Sequence, residues 1–437
     1  MFLLAIGAAA APAAAQPKTA ETKPAAAAQP LAAAVTIAVA PDKLERAKSH
    51  NFRPAHIAAA ADHEEEKQLN GISAIPARKV VIKPQQPAKP KLNVTKMGED
   101  MHAALKDNVR GYAFQVRKGG NPIYTLIWEW SRSPNQGGKG WTLDTRMHVA
   151  SVSKLLTAVG VTRMLDERNL PFDTKIGSYL PSHWSVGSNS ANITFKELLT
   201  HRAGFNEAHH GGDYATFKDQ IADGVPANSS PVYTNGAFSI MRVLNATMTG
   251  VVPKNATFNV PPAQRDAIWD IVTQDAFQNY MNAKVFAPSS VTGITSTGNA
   301  NSALAYSTKG DGNGWDSGDL DTQIGGAGFR VSVNDVLNVM GTFRRKGTIV
   351  SAAKAQASLD ASLGIDRIDD TPAGKMYLKN GWWGGGGKDG ANWHVEQAVA
   401  AYLPDDMEAV VLVNSNIGPN GASLTTTFRN AVLNNIE

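Results

Sequence analysis

The chain has 437 residues, 43% of them hydrophobic and 18% charged, with a net charge of +4 and no cysteine. That length allows one large domain or two, and the composition is ordinary for a globular protein. The lack of cysteine excludes disulfides, thiol nucleophiles, Cys-ligated zinc, iron–sulfur clusters and a lipid-anchored N-terminal cysteine.

Met1 to Ala15 reads as a short apolar run followed by alanines, with Ala13-Ala14-Ala15 before Gln16 in the pattern of a signal-peptidase site. It lacks a basic start, but it is otherwise a secretory-signal pattern and too short for a membrane span, so a periplasmic or secreted protein is expected. Residues 16–93 form an Ala/Pro/Lys-rich leader. Its first part, 16–41, has few large apolar groups and is expected to be a disordered linker. A helix can form at Asp42 to Lys48 and another at Ala58 to Leu69, and residues 84–91 make a proline-rich spacer.

The basic excess belongs to this leader. Residues 42–96 carry 11 Lys/Arg against 6 Asp/Glu, and residues 97–437 have a net charge of −2. A basic tail on a nearly neutral domain lacks the patterned face that nucleic acid requires, so no nucleic-acid partner is expected. The leader could touch an anionic envelope surface weakly, although an inert spacer explains it as well.

The main domain is expected over 94–437. A helix at Lys96 to Asn108 presents Met97, Met101 and Leu105 on one face. Tyr112–Val116 and Ile123–Trp128 then flank Lys118-Gly119-Gly120-Asn121-Pro122 as a β-hairpin. Next comes Ser151-Val152-Ser153-Lys154, opening a helix to Glu167 in which Val152, Leu155, Leu156 and Val159 mark one apolar stripe. Ser151 and Lys154 share a face of its first turn, which sets a hydroxyl beside an ammonium at the positive end of a helix. A serine alkoxide needs a base and nearby positive charge, and this arrangement supplies both. Taken alone, the tetrapeptide also fits a plain N-cap followed by a surface lysine.

Downstream, Thr194-Phe195-Lys196-Glu197 is a capping box for a helix closed by Gly204. Helices are also expected at 237–247, 264–284 and 334–345, strands at 375–381, 394–403 and 408–414, and a last helix at 423–434. The hairpin and the final strands should form one sheet. The result is an α+β domain: an antiparallel sheet (94–150 and 371–437) flanked by N- and C-terminal helices, with a helical insertion over 151–370.

Two further clusters carry chemistry. Pro231-Val232-Tyr233-Thr234-Asn235-Gly236 is a turn before an apolar helix. Tyr233 near ammonium groups would be a base for Ser151, and Asn235 could serve a substrate carbonyl or the lysine. Tyr377-Leu378-Lys379-Asn380-Gly381-Trp382 is a strand in which Lys379 would set positive potential over the site and Gly381 would admit a substrate backbone. His209, His210 and Asp213 lack a helical metal-ligand spacing, so neither a metal nor a cofactor is expected. His201 reads as a structural hydrogen-bonding group, and His394 has no assigned role.

Ser-x-x-Lys, Tyr-x-Asn and Lys-x-Gly in this order resemble the serine β-lactamase and penicillin-binding-protein superfamily, in its class C β-lactamase-like branch. Residues 193–204 and 325–332 are similar to two further motifs of that branch. The resemblance spans about residues 95–435 and implies acyl transfer through Ser151, with Lys154 and Tyr233 handling the proton. It implies substrate binding by Asn235, Lys379, Gly381 and Trp382, with the Ser151 and Trp382 N–H groups as oxyanion hole. Lys-Asn-Gly departs from the common Lys-Thr-Gly, yet the lysine is kept. That leans toward carboxylate-bearing β-lactam or D-amino-acid peptide substrates. A small-ester esterase and a non-catalytic cell-wall binding module are the alternatives, and the oligomeric state is left open.

Overall fold

The computed structural model describes residues 34–50, 90–206, 212–227, 229–386, 393–417 and 423–437. The chain begins with β1 (Val35–Ile37) and α1 (Pro41–Lys48), and resumes with α2 (Val94–Leu105), β2 (Gly111–Lys118) and β3 (Asn121–Arg132). Two short strands, β4 (Lys139–Gly140) and β5 (Met147–His148), lead into α3 (Val152–Asp166). The middle of the chain holds α4 (Phe195–Leu199), α5 (Tyr214–Asp223), α6 (Gly236–Ser239), α7 (Met241–Thr249), β6 (Ala256–Phe258) and α8 (Arg265–Met281). After an irregular stretch come β7 (Arg330–Val331), α9 (Val333–Gly341), α10 (Ala352–Asp360) and β8 (Arg367–Thr371). The chain ends with β9 (Gly374–Gly385), β10 (His394–Leu403), β11 (Met407–Val413) and α11 (Leu424–Leu433).

Seven strands make one antiparallel sheet in the order β4-β3-β2-β11-β10-β9-β8. The hairpin β2–β3 turns through Gly119 and Gly120, both at positive φ, which is the backbone that a two-residue turn between twisted strands requires. Both faces of the central strands are covered. Met97, Met101 and Leu105 of α2, with Phe428 and Val432 of α11, pack on Phe114, Val116, Val399 and Val411. Ala113, Ala398, Ala400, Val410 and Leu412 face the larger core with α3. This two-sided burial explains why β10 and β11 read as nearly unbroken apolar runs. The architecture is α+β, as the element pattern implies.

Three expectations change. The helix α3 has no single apolar stripe, because almost every side chain from Val152 to Leu165 is buried. It lies between the sheet and the helical region, and its polar groups find partners inside: Thr157 Oγ1 donates to Gly325 O at 2.7 Å and Ser153 Oγ accepts from Phe329 N at 3.2 Å. The stretch 151–370 is not purely helical, since residues 290–329 run largely without helix and contribute only isolated bridges at Thr295, Ala305, Tyr306 and Trp315. The sequence reading also passed over α5, α10 and β8.

The third change concerns the leader. Residues expected to be a disordered linker form β1, which pairs in parallel with β6 through Val35↔Ala256 and Ile37↔Phe258. The following helix α1 lies on α8. Lys43 pairs with Asp275, Arg46 reaches Asp275 at 3.1 Å and Asp321 at 3.4 Å, and His50 Nε2 lies 3.0 Å from the buried Asp270. Part of the leader's basic excess is thus matched by carboxylates of the domain itself. The expected Ala58–Leu69 helix, residues 84–89 of the proline-rich spacer and the signal-like segment lie outside the described residues.

Candidate active site

Ser151 is set by a bend between a strand and a helix. β5 pairs with β7 (Met147↔Val331, His148↔Arg330), and Val149 N continues the pairing to Phe329 O at 3.2 Å. Ala150 then takes φ +46°, a conformation that costs an alanine free energy, and α3 starts at once. Ser151 itself has helical φ and ψ, and its hydroxyl makes no capping bond to the helix. The plain N-cap reading therefore fails.

The strand that leads into this bend is anchored by a histidine that sequence reasoning missed. His148 is fully buried, with Nδ1 3.0 Å from Glu396 Oε2 and Nε2 bonded to Ala327 O. Its ring sits edge-on to Trp383 at 5.1 Å. No spacing in the sequence signals this, because Glu396 lies 248 positions away.

Lys154 is buried to 0% exposure, which removes the surface-lysine reading. Its Nζ lies 2.9 Å from Ser151 Oγ, 2.5 Å from Asn235 Oδ1 and 3.1 Å from Gly326 O. Three oxygen acceptors suit the three N–H donors of an ammonium. Tyr233 places its hydroxyl 2.7 Å from Ser151 Oγ, and Lys154 Nζ lies 4.7 Å from the centre of its ring.

Tyr233 is held by His201. The two rings stack at 4.1 Å, Thr234 N donates to His201 Nδ1 at 3.3 Å, and Val232 N donates to His201 O at 2.9 Å. His201 is thus a structural partner of the tyrosine loop, as its place on the capped helix suggests. Burial, and then the charges of Lys154 and Lys379, hold its imidazole well below its usual pKa. The capping box at Thr194 is present, with Glu197 N donating to Thr194 Oγ1 at 3.1 Å and Thr194 N to Glu197 Oε2 at 2.8 Å.

The strand β9 closes the other wall. A Cβ on Gly381 would lie 2.3 Å from Val149 O and 3.1 Å from Ser151 N. Glycine at this position lets the strand come against the Ser151 bend, so what approaches it closely is the chain itself. Lys379, also fully buried, sits with Nζ 5.3 Å from the Tyr233 ring centre. Its charge does not stand alone: Asp366 Oδ1 lies 2.5 Å from that Nζ, and Asp366 Oδ2 accepts the Asn380 N–H at 3.0 Å. Asp366 carries no motif and sits just before β8, a strand the sequence reading passed over.

Trp382 and Trp383 continue the strand beyond Gly381. Both lie within β9, whose pairing to β10 runs on to Gly385↔His394. Trp382 stays partly exposed beside Trp393 at 5.9 Å, whereas Trp383 packs inward with Ala150, Leu320 and Ala327. Gly387 lies outside the described residues, as do His209 and His210, while Asp213 caps α5 by accepting from Thr216 N at 2.9 Å. His394 Nε2 lies 2.8 Å from Asn313 O. Among the described residues no group of three or more His, Asp or Glu could hold a metal, and no helix is long and apolar enough to cross a membrane.

The Beta-lactamase family model matches residues 93–433 of this chain. Solved structures share its fold at low identity. One is a β-lactamase/D-alanine carboxypeptidase from Pseudomonas syringae (14% identity, TM-score 0.56, covering 79% of this chain and 99% of that one). A second is a D-stereospecific amidohydrolase from a Streptomyces species (17%, TM-score 0.52, 77% and 98%). A third is EstCE1, described as a hydrolase with promiscuous acyltransferase activity (17%, TM-score 0.51, 78% and 99%). A search of curated proteins returned no match.

Proposed function

This chain belongs to the Beta-lactamase family and is a serine hydrolase, and from that premise we propose that it is an exported enzyme that cleaves an ester or amide of a small molecule or peptide through an acyl-Ser151 intermediate. The observation that carries the proposal is the convergence on Ser151 Oγ of Lys154 Nζ at 2.9 Å and the Tyr233 hydroxyl at 2.7 Å.

Ser151 Oγ attacks the carbonyl carbon and its proton passes to Tyr233, acting as phenolate, with the Lys154 ammonium stabilising the negative oxygen. The main-chain N–H groups of Ser151 and Trp382 hold the developing oxyanion, and losing one such donor costs about 2.7–4 kcal/mol of barrier. Tyr233 then returns the proton to the departing alcohol or amine, leaving the acyl group on Ser151. Water attacks the acyl carbon by the same route in reverse and frees the acid and Ser151. Asn235 orients Lys154 through its Oδ1, and its Nδ2 is buried with no hydrogen-bond partner among the described residues.

A binding module without chemistry is the weaker reading, because a buried lysine and a tyrosine aimed at one serine Oγ have no use in simple recognition. Export rests on the signal-like first 15 residues. The leaning toward carboxylate-bearing substrates rests on the retained Lys379, whose charge the Asp366 contact at 2.5 Å offsets.

The test is mass spectrometry after treatment with a fluorophosphonate, run beside hydrolysis of p-nitrophenyl esters by wild type and Ser151→Ala. A single adduct on Ser151, with activity lost by at least about a thousandfold in the variant, is expected. An adduct elsewhere, or activity retained by the variant, overturns the assignment.

A further inference from the structure

The cation of the third motif is neutralised inside the protein. The Lys379 ammonium is buried, its side chain 1% exposed, and the carboxylate paired with it at 2.5 Å is itself only 10% exposed. The same carboxylate also takes the Asn380 N–H, so it engages two consecutive residues of the strand that packs against the Ser151 bend. This is a fixed geometry rather than a side chain caught on the surface. Asp366 N donates to Leu378 O at 3.0 Å, and Gly364 N donates to Leu199 O at 3.0 Å. Gly364 itself is at φ +68°, where a Cβ would lie 2.7 Å from Lys154 O. The turn carrying Asp366 is thereby locked against the first turns of α3.

Given the acyl-serine reading above, on which this rests, we propose that Asp366 is a specificity-determining residue that makes the site select acyl donors with no carboxylate near the scissile bond, that is, neutral esters or amides. An anionic substrate would meet an ion pair whose net charge is zero. To reach Lys379 it would have to displace Asp366 or come to rest beside it, and two carboxylates sharing one cation repel. A neutral acyl donor needs only Ser151, Lys154, Tyr233 and the oxyanion donors, none of which Asp366 contacts. Removing the negative charge at position 366 frees the Lys379 charge and turns the preference toward carboxylates.

The experiment compares kcat/KM for p-nitrophenyl butyrate, which is neutral, and nitrocefin, which bears a carboxylate, in wild type and Asp366→Asn. Because the substitution also alters the electrostatics around Tyr233, the ratio of the two values is the readout. Wild type is expected to favour the ester by at least about a hundredfold, and Asp366→Asn to shift the ratio toward nitrocefin by at least about tenfold. A wild-type enzyme that turns over nitrocefin as well as the ester, or a ratio unmoved by the substitution, overturns the proposal. Should Asp366→Asn fail to fold, wild-type inhibition by phenylboronic acid and by its meta-carboxylate analogue decides the matter. Equal or weaker inhibition by the carboxylate supports the proposal, and a gain of tenfold or more refutes it. Fluorophosphonate labelling of Ser151 in the same preparation separates the two readings: without it the acyl-serine mechanism itself has failed, and with it only the substrate class is in question.

Discussion

The hydroxyl of Tyr233 lies 2.7 Å from Oγ of Ser151, although the two residues are 82 positions apart in the chain. Lys154 Nζ approaches the same oxygen at 2.9 Å, and in the proposed mechanism the two groups would supply the nucleophile with a base and a counter-charge.

Replacing Tyr233 with Phe removes the proposed proton acceptor and keeps the ring that stacks on His201. We expect kcat to fall by about 10²–10⁴ with KM nearly unchanged, measured on a p-nitrophenyl ester. A variant retaining more than a tenth of wild-type kcat would show that Tyr233 carries no proton.

Asn235→Leu takes the 2.5 Å acceptor from a fully buried ammonium. A buried group left short of a partner costs about 1–3 kcal/mol, so both stability and activity should drop. Urea denaturation alongside ester turnover checks this, and a variant as stable as wild type would count against a charged Lys154.

Gly381→Ala places a methyl 2.3 Å from Val149 O, and that obstacle is backbone. The strand β9 must move away from the Ser151 bend at a cost of about 1–3 kcal/mol. Loss of stability together with loss of Ser151 labelling by a fluorophosphonate is expected. Stability reduced with labelling intact would separate the strand position from catalysis.

His201 is held neutral when folded, because burial and the two neighbouring ammonium groups depress its pKa from the usual 6.5. The unfolded chain takes up a proton below about pH 6.5 where the folded one does not, so stability is full above that value and declines as the pH falls. The decline amounts to about 1.4 kcal/mol per pH unit for each such group. His201→Gln should flatten the slope of unfolding free energy between pH 6.5 and 5 by roughly one proton, as read from denaturant titrations. An unchanged slope would mean that His201 titrates alike in both states.

Deleting residues 1–50 removes β1, α1 and the contact of His50 with Asp270. Asp270 is fully buried. Burial pushes its pKa up, but Arg242 and His50 outweigh that and hold it below the usual carboxylate value. Loss of one partner should cost about 1–3 kcal/mol and lower Tm, while Ser151 labelling persists. An unchanged Tm would reduce the docked segment to a passive strap.

Local chemistry was legible from residues alone. Gly119-Gly120 announced the hairpin, Thr194 and Glu197 the capping box, and Ser151 with Lys154 shared a helical turn because three residues nearly complete one. The apolar run at 408–414 announced a strand, which the structure places at Met407–Val413. Those signals depend on neighbours within a few positions, and the chain order of the three motifs pointed to the family.

What folding alone decided was which charges meet. Asp366 lies 13 positions from Lys379 and Glu396 lies 248 from His148, and the leader's Lys43 finds Asp275 across 232. The sequence states that a lysine is present in the strand before Gly381. Whether its charge is offered to a substrate or held by the protein depends on a carboxylate that a separate turn brings to 2.5 Å. Such pairings obey distance in space, which periodicity and capping chemistry do not encode. The proposed reacting groups were therefore readable in one dimension, and the electrostatic character of their surroundings only in three.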